Sequence, residues 1–302
     1  MKRLFSLVVL ISMSVWGQQE PQYTQYMFNP TAINPAYAGS KDFGSIFSMY
    51  RAQWIGLEGA PRTMNLAYHQ PIENSHLGIG ANLLRDEIGP TSTTFAAVDV
   101  SYTIAFANES RLAFGVKAGG ELFNIDNQKL KSFNPADPFL QQNLQNQFSP
   151  NIGVGLYYYN DKSYLGLSVP RLLETRFYDA LAYSETKRKQ HFYLVGGKVF
   201  DLSYKLKFKP AFVTKVVAGA PLQVDFTTNF MYNERFTMGV SYRWDAAVSA
   251  LLGFRVNDRL SIGYGYDRET TRLSNFNSGS HELFLQFDLL RNGQTVETTR
   301  FF

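Results

Sequence analysis

Cysteine is absent from the 302 residues. That excludes disulfides, thiolate metal sites, cysteine nucleophiles and a lipid-modified N-terminal cysteine. Charge is scarce: 18% of residues are charged, against roughly 25% in soluble domains. Beyond residue 20 no apolar run reaches the ~18 residues that a spanning helix needs, and the mean hydropathy of −0.20 is not that of a helical membrane protein. Histidine is rare, and His69, His76, His191 and His281 show neither an i, i+4 pair nor an H-E-x-x-H pattern. Gly78-Ile79-Gly80 and Gly263-Tyr264-Gly265 are not phosphate loops, because no helix is expected after them. Basic residues are dispersed at a net charge of +4, which argues against a nucleic-acid footprint. No metal, cofactor or catalytic residue is expected.

Aromatic residues are abundant, with 25 Phe, 18 Tyr and 3 Trp. The chain opens on Lys2 and Arg3, then an apolar stretch over Leu4–Val15, then a small-residue site at Val15-Trp16-Gly17. This pattern predicts a cleaved signal peptide over 1–17.

Period-2 alternation dominates the remainder. Phe236, Met238, Val240, Tyr242 and Trp244 alternate with Thr237, Gly239, Ser241, Arg243 and Asp245. Leu260, Ile262, Tyr264 and Tyr266 do so with Ser261, Gly263, Gly265 and Asp267. Extended chain sends these sets to opposite faces. A soluble barrel or sandwich would turn the apolar row inward. A membrane barrel turns it to lipid and keeps the polar row in the bore.

Three features favour the membrane reading. Many segments reach the length that a tilted membrane strand needs. Lys117, Glu121, Arg243 and Arg255 stand in mid-strand on polar rows. Aromatics such as Phe106, Tyr157, Tyr158, Tyr159, Tyr232, Trp244 and Tyr266 gather near segment ends, as an interfacial girdle requires.

The expectation is an all-β, antiparallel up-and-down transmembrane barrel of about fourteen strands, an even number as such barrels prefer. Strands are expected to begin near Ser45, Thr63, His76, Thr93, Arg111, Ser149, Ser163, Gln190, Tyr204, Pro221, Arg235, Ala246, Arg259 and Ser280. Tight-turn residues at Asn74-Ser75, Asn108-Glu109, Asn160-Asp161-Lys162, Asn233-Glu234 and Asn257-Asp258 then fall on one side. The long connections 126–148, 174–189 and 268–279 fall on the other. The predicted organisation is a signal peptide at 1–17, a periplasmic N-terminal segment at 18–42, a barrel at 43–290 and a periplasmic tail at 291–302.

Residues 22–40 read QYTQYMFNPTAINPAYAGS. Asn29-Pro30 and Asn34-Pro35 make this stretch stiff and turn-bearing, since proline fixes φ and pushes its predecessor out of helix. Tyr23, Tyr26, Phe28 and Tyr37 interleave rings with the amides. The segment suits either a plug in the barrel or a dock for a partner, and it is expected at the periplasmic end. Arg51 and Trp54 close the first strand, and Gly56 and Pro61 follow in a tight loop. This set reads as a cargo-facing outer loop or as a plain capped hairpin. Lys205, Lys207 and Lys209 could meet lipid headgroups or an acidic periplasmic partner. Mid-strand charges could line an ion path or pair across a filled bore. A wall hydrolase built on Ser168 or Ser241 with a histidine is a further alternative.

With RAQWIGLEGAPRTMNLAYHQP at 51–71 and GSHELFLQFDL at 279–289, the motif at 22–40 resembles that of the PorP/SprF family of Bacteroidetes outer-membrane proteins. The resemblance covers essentially the whole chain after the leader. It implies a non-enzymatic outer-membrane component of type IX secretion that assists secretion or surface attachment of cargo. Implied partners are outer-membrane lipid, the periplasmic ring proteins of the machine, and the C-terminal domains of secreted adhesins, gliding adhesins among them. The alternative is a passive porin or small-ligand transport barrel.

Overall fold

The computed structural model describes residues 24, 26–129, 143–173, 176–177, 186–187 and 189–290. The expected signal peptide, Tyr23 and the expected tail at 291–302 lie outside the described residues.

Fourteen antiparallel strands form one closed barrel. They are β1 (Gly44–Ala52), β2 (Arg62–Pro71), β3 (Leu77–Ile88), β4 (Thr91–Ala105), β5 (Arg111–Ile125), β6 (Leu144–Tyr159) and β7 (Ser163–Val169). There follow β8 (His191–Lys198), β9 (Leu206–Val217), β10 (Gln223–Tyr232), β11 (Phe236–Arg243), β12 (Ala247–Arg255), β13 (Leu260–Glu269) and β14 (Ser280–Leu289). Each strand pairs with its sequence neighbours, and β1 pairs with β14 to close the ring. Phe200–Asp201 continues the β8 side of the β9 pairing. A two-residue ladder, Arg176–Phe177 with Thr186–Lys187, belongs to the β7–β8 connection.

Most strands begin within a residue or two of their expected starts. The exception is β6, which begins at Leu144 rather than near Ser149. Asn146 adopts φ 53° there, and the β5–β6 register shifts between Phe123 and Ile125. This bulge carries the ladder beyond where alternation stops.

The apolar row faces outward and the polar row faces the bore. Met64, Val98, Val116, Leu167, Met238 and Leu285 are all exposed on the outer wall, whereas Asp99, Lys117, Asn229, Arg243, Asp267 and Glu282 are buried. This inverts the arrangement of a soluble protein, because the outer solvent is acyl chain. Phe106, Tyr158, Tyr232 and Trp244 lie exposed near strand ends. Tyr157 and Tyr159 do not join that girdle: both are buried inside the bore.

At one end of the barrel every connection is short, and its turn chemistry shows why. Asn233 and Glu234 both adopt positive φ, the requirement of a two-residue hairpin whose twist matches its strands. The Asn257 side chain accepts from Arg259 N (2.9 Å) and Leu260 N (2.8 Å). Asn160 does the same for Lys162 N (3.0 Å) and Ser163 N (2.8 Å). The opposite end carries all the long connections, at 53–61, 126–143, 170–190 and 270–279, together with short ones at 89–90, 218–222 and 244–246. Among the described residues, no helix is long and apolar enough to cross a membrane.

Candidate functional site

Thr24 and residues 26–43, ahead of β1, run inside the barrel along its length. Three short 3-10 turns shape them: Tyr26–Phe28, Pro30–Ala32 and Pro35–Tyr37. Each Asn-Pro pair starts one of the last two turns, with proline in the first helical position, where its missing N–H costs nothing. Asn34 also caps its turn, its side chain accepting from Ala36 N at 3.0 Å.

At the long-connection end, Thr24 donates its backbone N–H to Glu282 (3.1 Å) and its hydroxyl to Asp267 (2.7 Å). Arg51 joins the same cluster, bonded to Thr24 Oγ1 (2.8 Å) and Glu282 (3.0 Å) and ion-paired with Asp267. At the short-turn end, Lys41 meets Asp288 at 3.4 Å and Asp42 meets Arg111 at 3.6 Å. Thus only the final residues of the N-terminal segment lie at the end where the whole of it was expected.

Between these anchors the wall grips main-chain atoms. Lys117 Nζ donates to Thr31 O (2.9 Å), Ser168 Oγ to Ile33 O (2.7 Å) and Ser101 Oγ to Ala38 O (2.6 Å). The segment answers with Asn34 Nδ2 to Leu156 O at 2.9 Å. Glycines on the inward row let the backbone lie this close. A Cβ at Gly115 would stand 2.2 Å from Ala36 N, at Gly78 2.3 Å from Ala38 O, and at Gly155 2.1 Å from the Asn34 side chain. Aromatic packing fills space beside the segment. Phe28 lies 4.5 Å from the Phe284 ring centroid, and Tyr37 packs edge-on to Tyr157 and His69.

Mid-strand charges are paired within this filled bore. Arg243 meets Asp225 at 2.9 Å, Lys117 meets Asp99 at 3.5 Å and Arg171 meets Glu121 at 2.7 Å. Such pairing offsets the desolvation that each ion would otherwise suffer.

The structure brings together Tyr26, Phe28, Asn29, Pro30, Asn34, Pro35 and Tyr37, all inside the bore. Asn29 bonds Asn65 and Thr31, and the Tyr26 hydroxyl lies 3.5 Å from Thr227. It separates Arg51 from the outer-loop set, because Arg51 is on the inward row of β1. Trp54, Gly56 and Pro61 do stay in the 53–61 connection. Trp54 Nε1 donates to Glu269 at 3.1 Å, Gly56 adopts φ 102° and Pro61 O accepts from Gln53 N at 2.9 Å. Backbone bonds from Ile55 N to Gly279 O and from Ser278 N to Ile55 O tie this connection to the one at 270–279. The lysine trio also splits. Lys205 is exposed, Lys207 pairs with Glu234 at 2.9 Å, and Lys209 is buried in the bore over the Tyr164 ring. Nearby on the same rim, the Lys162 hydrogen bond holds the Asp201 carboxyl below its ordinary range.

Sequence reasoning missed Ser101, Lys117 and Ser168 as binders of the segment, and Asp267 and Glu282 as its upper anchor. The available signal was glycine recurring on inward rows of neighbouring strands. Ser168 is committed to Ile33 O, and Ser241 to Thr227 and the Phe226 carbonyl. Among the described residues, no group of three or more His, Asp or Glu is arranged to hold a metal.

A closed antiparallel ring with an apolar outer wall and a polar, ion-paired bore defines an outer-membrane β-barrel protein. The family described as "Type IX secretion system membrane protein PorP/SprF" matches residues 15–287. The chain belongs to that family and is an outer-membrane component of type IX secretion. No curated protein matches it detectably in sequence. Among solved structures it is similar to the Acinetobacter baumannii outer membrane protein Omp33, with TM-score 0.49 and 6% identity over 83% of this chain and 99% of that one. It is also similar to the CymD monoaromatic hydrocarbon channel, with TM-score 0.47 and 12% identity over 91% and 95% of the two chains. The KdgM porin follows, with TM-score 0.37 and 10% identity over 80% and 98%.

Proposed function

We propose that the protein is a non-enzymatic, plugged barrel that assists secretion or surface attachment of cargo such as adhesins. Outer-membrane barrels carry short turns on the periplasmic side and long loops outside. On that basis the short-turn rim faces the periplasmic ring proteins of the machine. The long-connection rim faces the C-terminal domains of secreted cargo. The observation that carries this reading is the N-terminal segment lodged along the bore by ion pairs and main-chain hydrogen bonds. A bore so filled suits a scaffold that works through its rims better than a conduit.

Deleting the gene and comparing surface proteomes tests it. Loss of one or more large secreted proteins from the cell surface, restored by the wild-type gene, is expected. An unchanged surface proteome overturns the proposal. A large, steady conductance of the purified wild-type protein in a planar bilayer would instead establish the porin alternative.

A further inference from the structure

We infer that the luminal segment threads the barrel from the cell-surface rim inward, with Thr24 marking its entry at the outer rim. This rests on the sidedness given above. β1 starts at the short-turn rim, and a chain entering it directly would come from the periplasm. It does not enter directly. Asp42 and Lys41 sit at that rim with Arg111 and Asp288, while Thr24 sits with Arg51, Asp267 and Glu282. Arg51 is next to last in β1, Asp267 is two residues from the end of β13 and Glu282 is two from the start of β14. All three are at the long-connection rim.

Contacts between these anchors pass from the long-connection half of the bore at Asn65, through mid-strand at Lys117, to the short-turn half at Leu156 and Ser101. Asn29 meets Asn65, Thr31 meets Lys117, Asn34 meets Leu156 and Ala38 meets Ser101. The segment therefore crosses the bore once, from the outer rim inward. Beside the segment, Tyr157, Tyr159, Tyr164, Tyr193 and Met231 pack into one buried cluster that fills this side of the bore.

The absence of cysteine makes single-cysteine labelling a clean test. Full-length Gln19→Cys would be compared with Glu58→Cys in the 53–61 connection and with Asp161→Cys in the β6–β7 turn. A membrane-impermeant maleimide is applied to intact and to permeabilised cells. Gln19→Cys is expected to behave as Glu58→Cys does, fully labelled in intact cells with no gain on permeabilisation. Asp161→Cys is expected to label only after permeabilisation. If both controls hold and Gln19→Cys follows Asp161→Cys, or stays unlabelled throughout, the inference falls while the sidedness stands. If the two controls exchange behaviour, the sidedness falls and the inference with it.

Discussion

Arg51 is the residue on which the upper anchor turns. It is buried with two carboxylates and the Thr24 hydroxyl, so removing it takes away the cation bonded to both Asp267 and Glu282. Truncating one partner of a buried ion pair costs about 3–5 kcal/mol. Arg51→Ala is therefore expected to lower the urea midpoint of the refolded barrel clearly, and Arg51→Lys less so. A midpoint unchanged by Arg51→Ala would show that the cluster contributes little. Glycine offers a second residue-scale contrast. At Gly115 a methyl group meets backbone atoms of Pro35 and Ala36 at 2.2–2.5 Å, whereas at Gly253 its nearest neighbour is Thr237 Cβ at 3.3 Å. Gly115→Ala is expected to loosen the luminal segment and expose it to protease, with Gly253→Ala near wild type in the same digest.

The strand was the legible element. Alternation, turn residues and connection lengths together gave the number, order and direction of the fourteen strands, because a half-buried strand must repeat every two residues. The luminal segment was less legible. Its rings and Asn-Pro pairs marked it as special, but its path depends on glycines and hydroxyls contributed by distant strands, which no local pattern reveals. β1 shows the same limit. Phe47 and Met49 point inward beside Arg51, against the polar-inside rule, because Phe28 and Phe284 offer them an apolar niche. At this scale the segment can be tested as a unit. Deleting residues 26–37 should convert a closed barrel into one with steady conductance in planar bilayers. If the deletion variant inserts and remains electrically silent, the segment is not what closes the bore.

For the whole molecule, stability in the membrane depends on which face a substitution meets. Val98 is 57% exposed in the middle of β4, within the apolar band. An arginine there should cost about 2–4 kcal/mol, falling to roughly 0–1 kcal/mol near the interface. Val98→Arg should thus reduce folding into vesicles measurably, while Leu222→Arg, in the short connection between β9 and β10, should be close to neutral. Equal penalties at the two sites would contradict the placement of the bilayer.

The closing seam runs from Gly44–Leu289 to Ala52–His281, so every strand has a hydrogen-bonded neighbour on both sides. A sheet without a free margin cannot recruit another polypeptide by lending it a ladder of main-chain bonds. Whatever the secretion machine docks here must be recognised by turns and loops. Those can change sequence to suit a new client while the staves of the cask stay as they are.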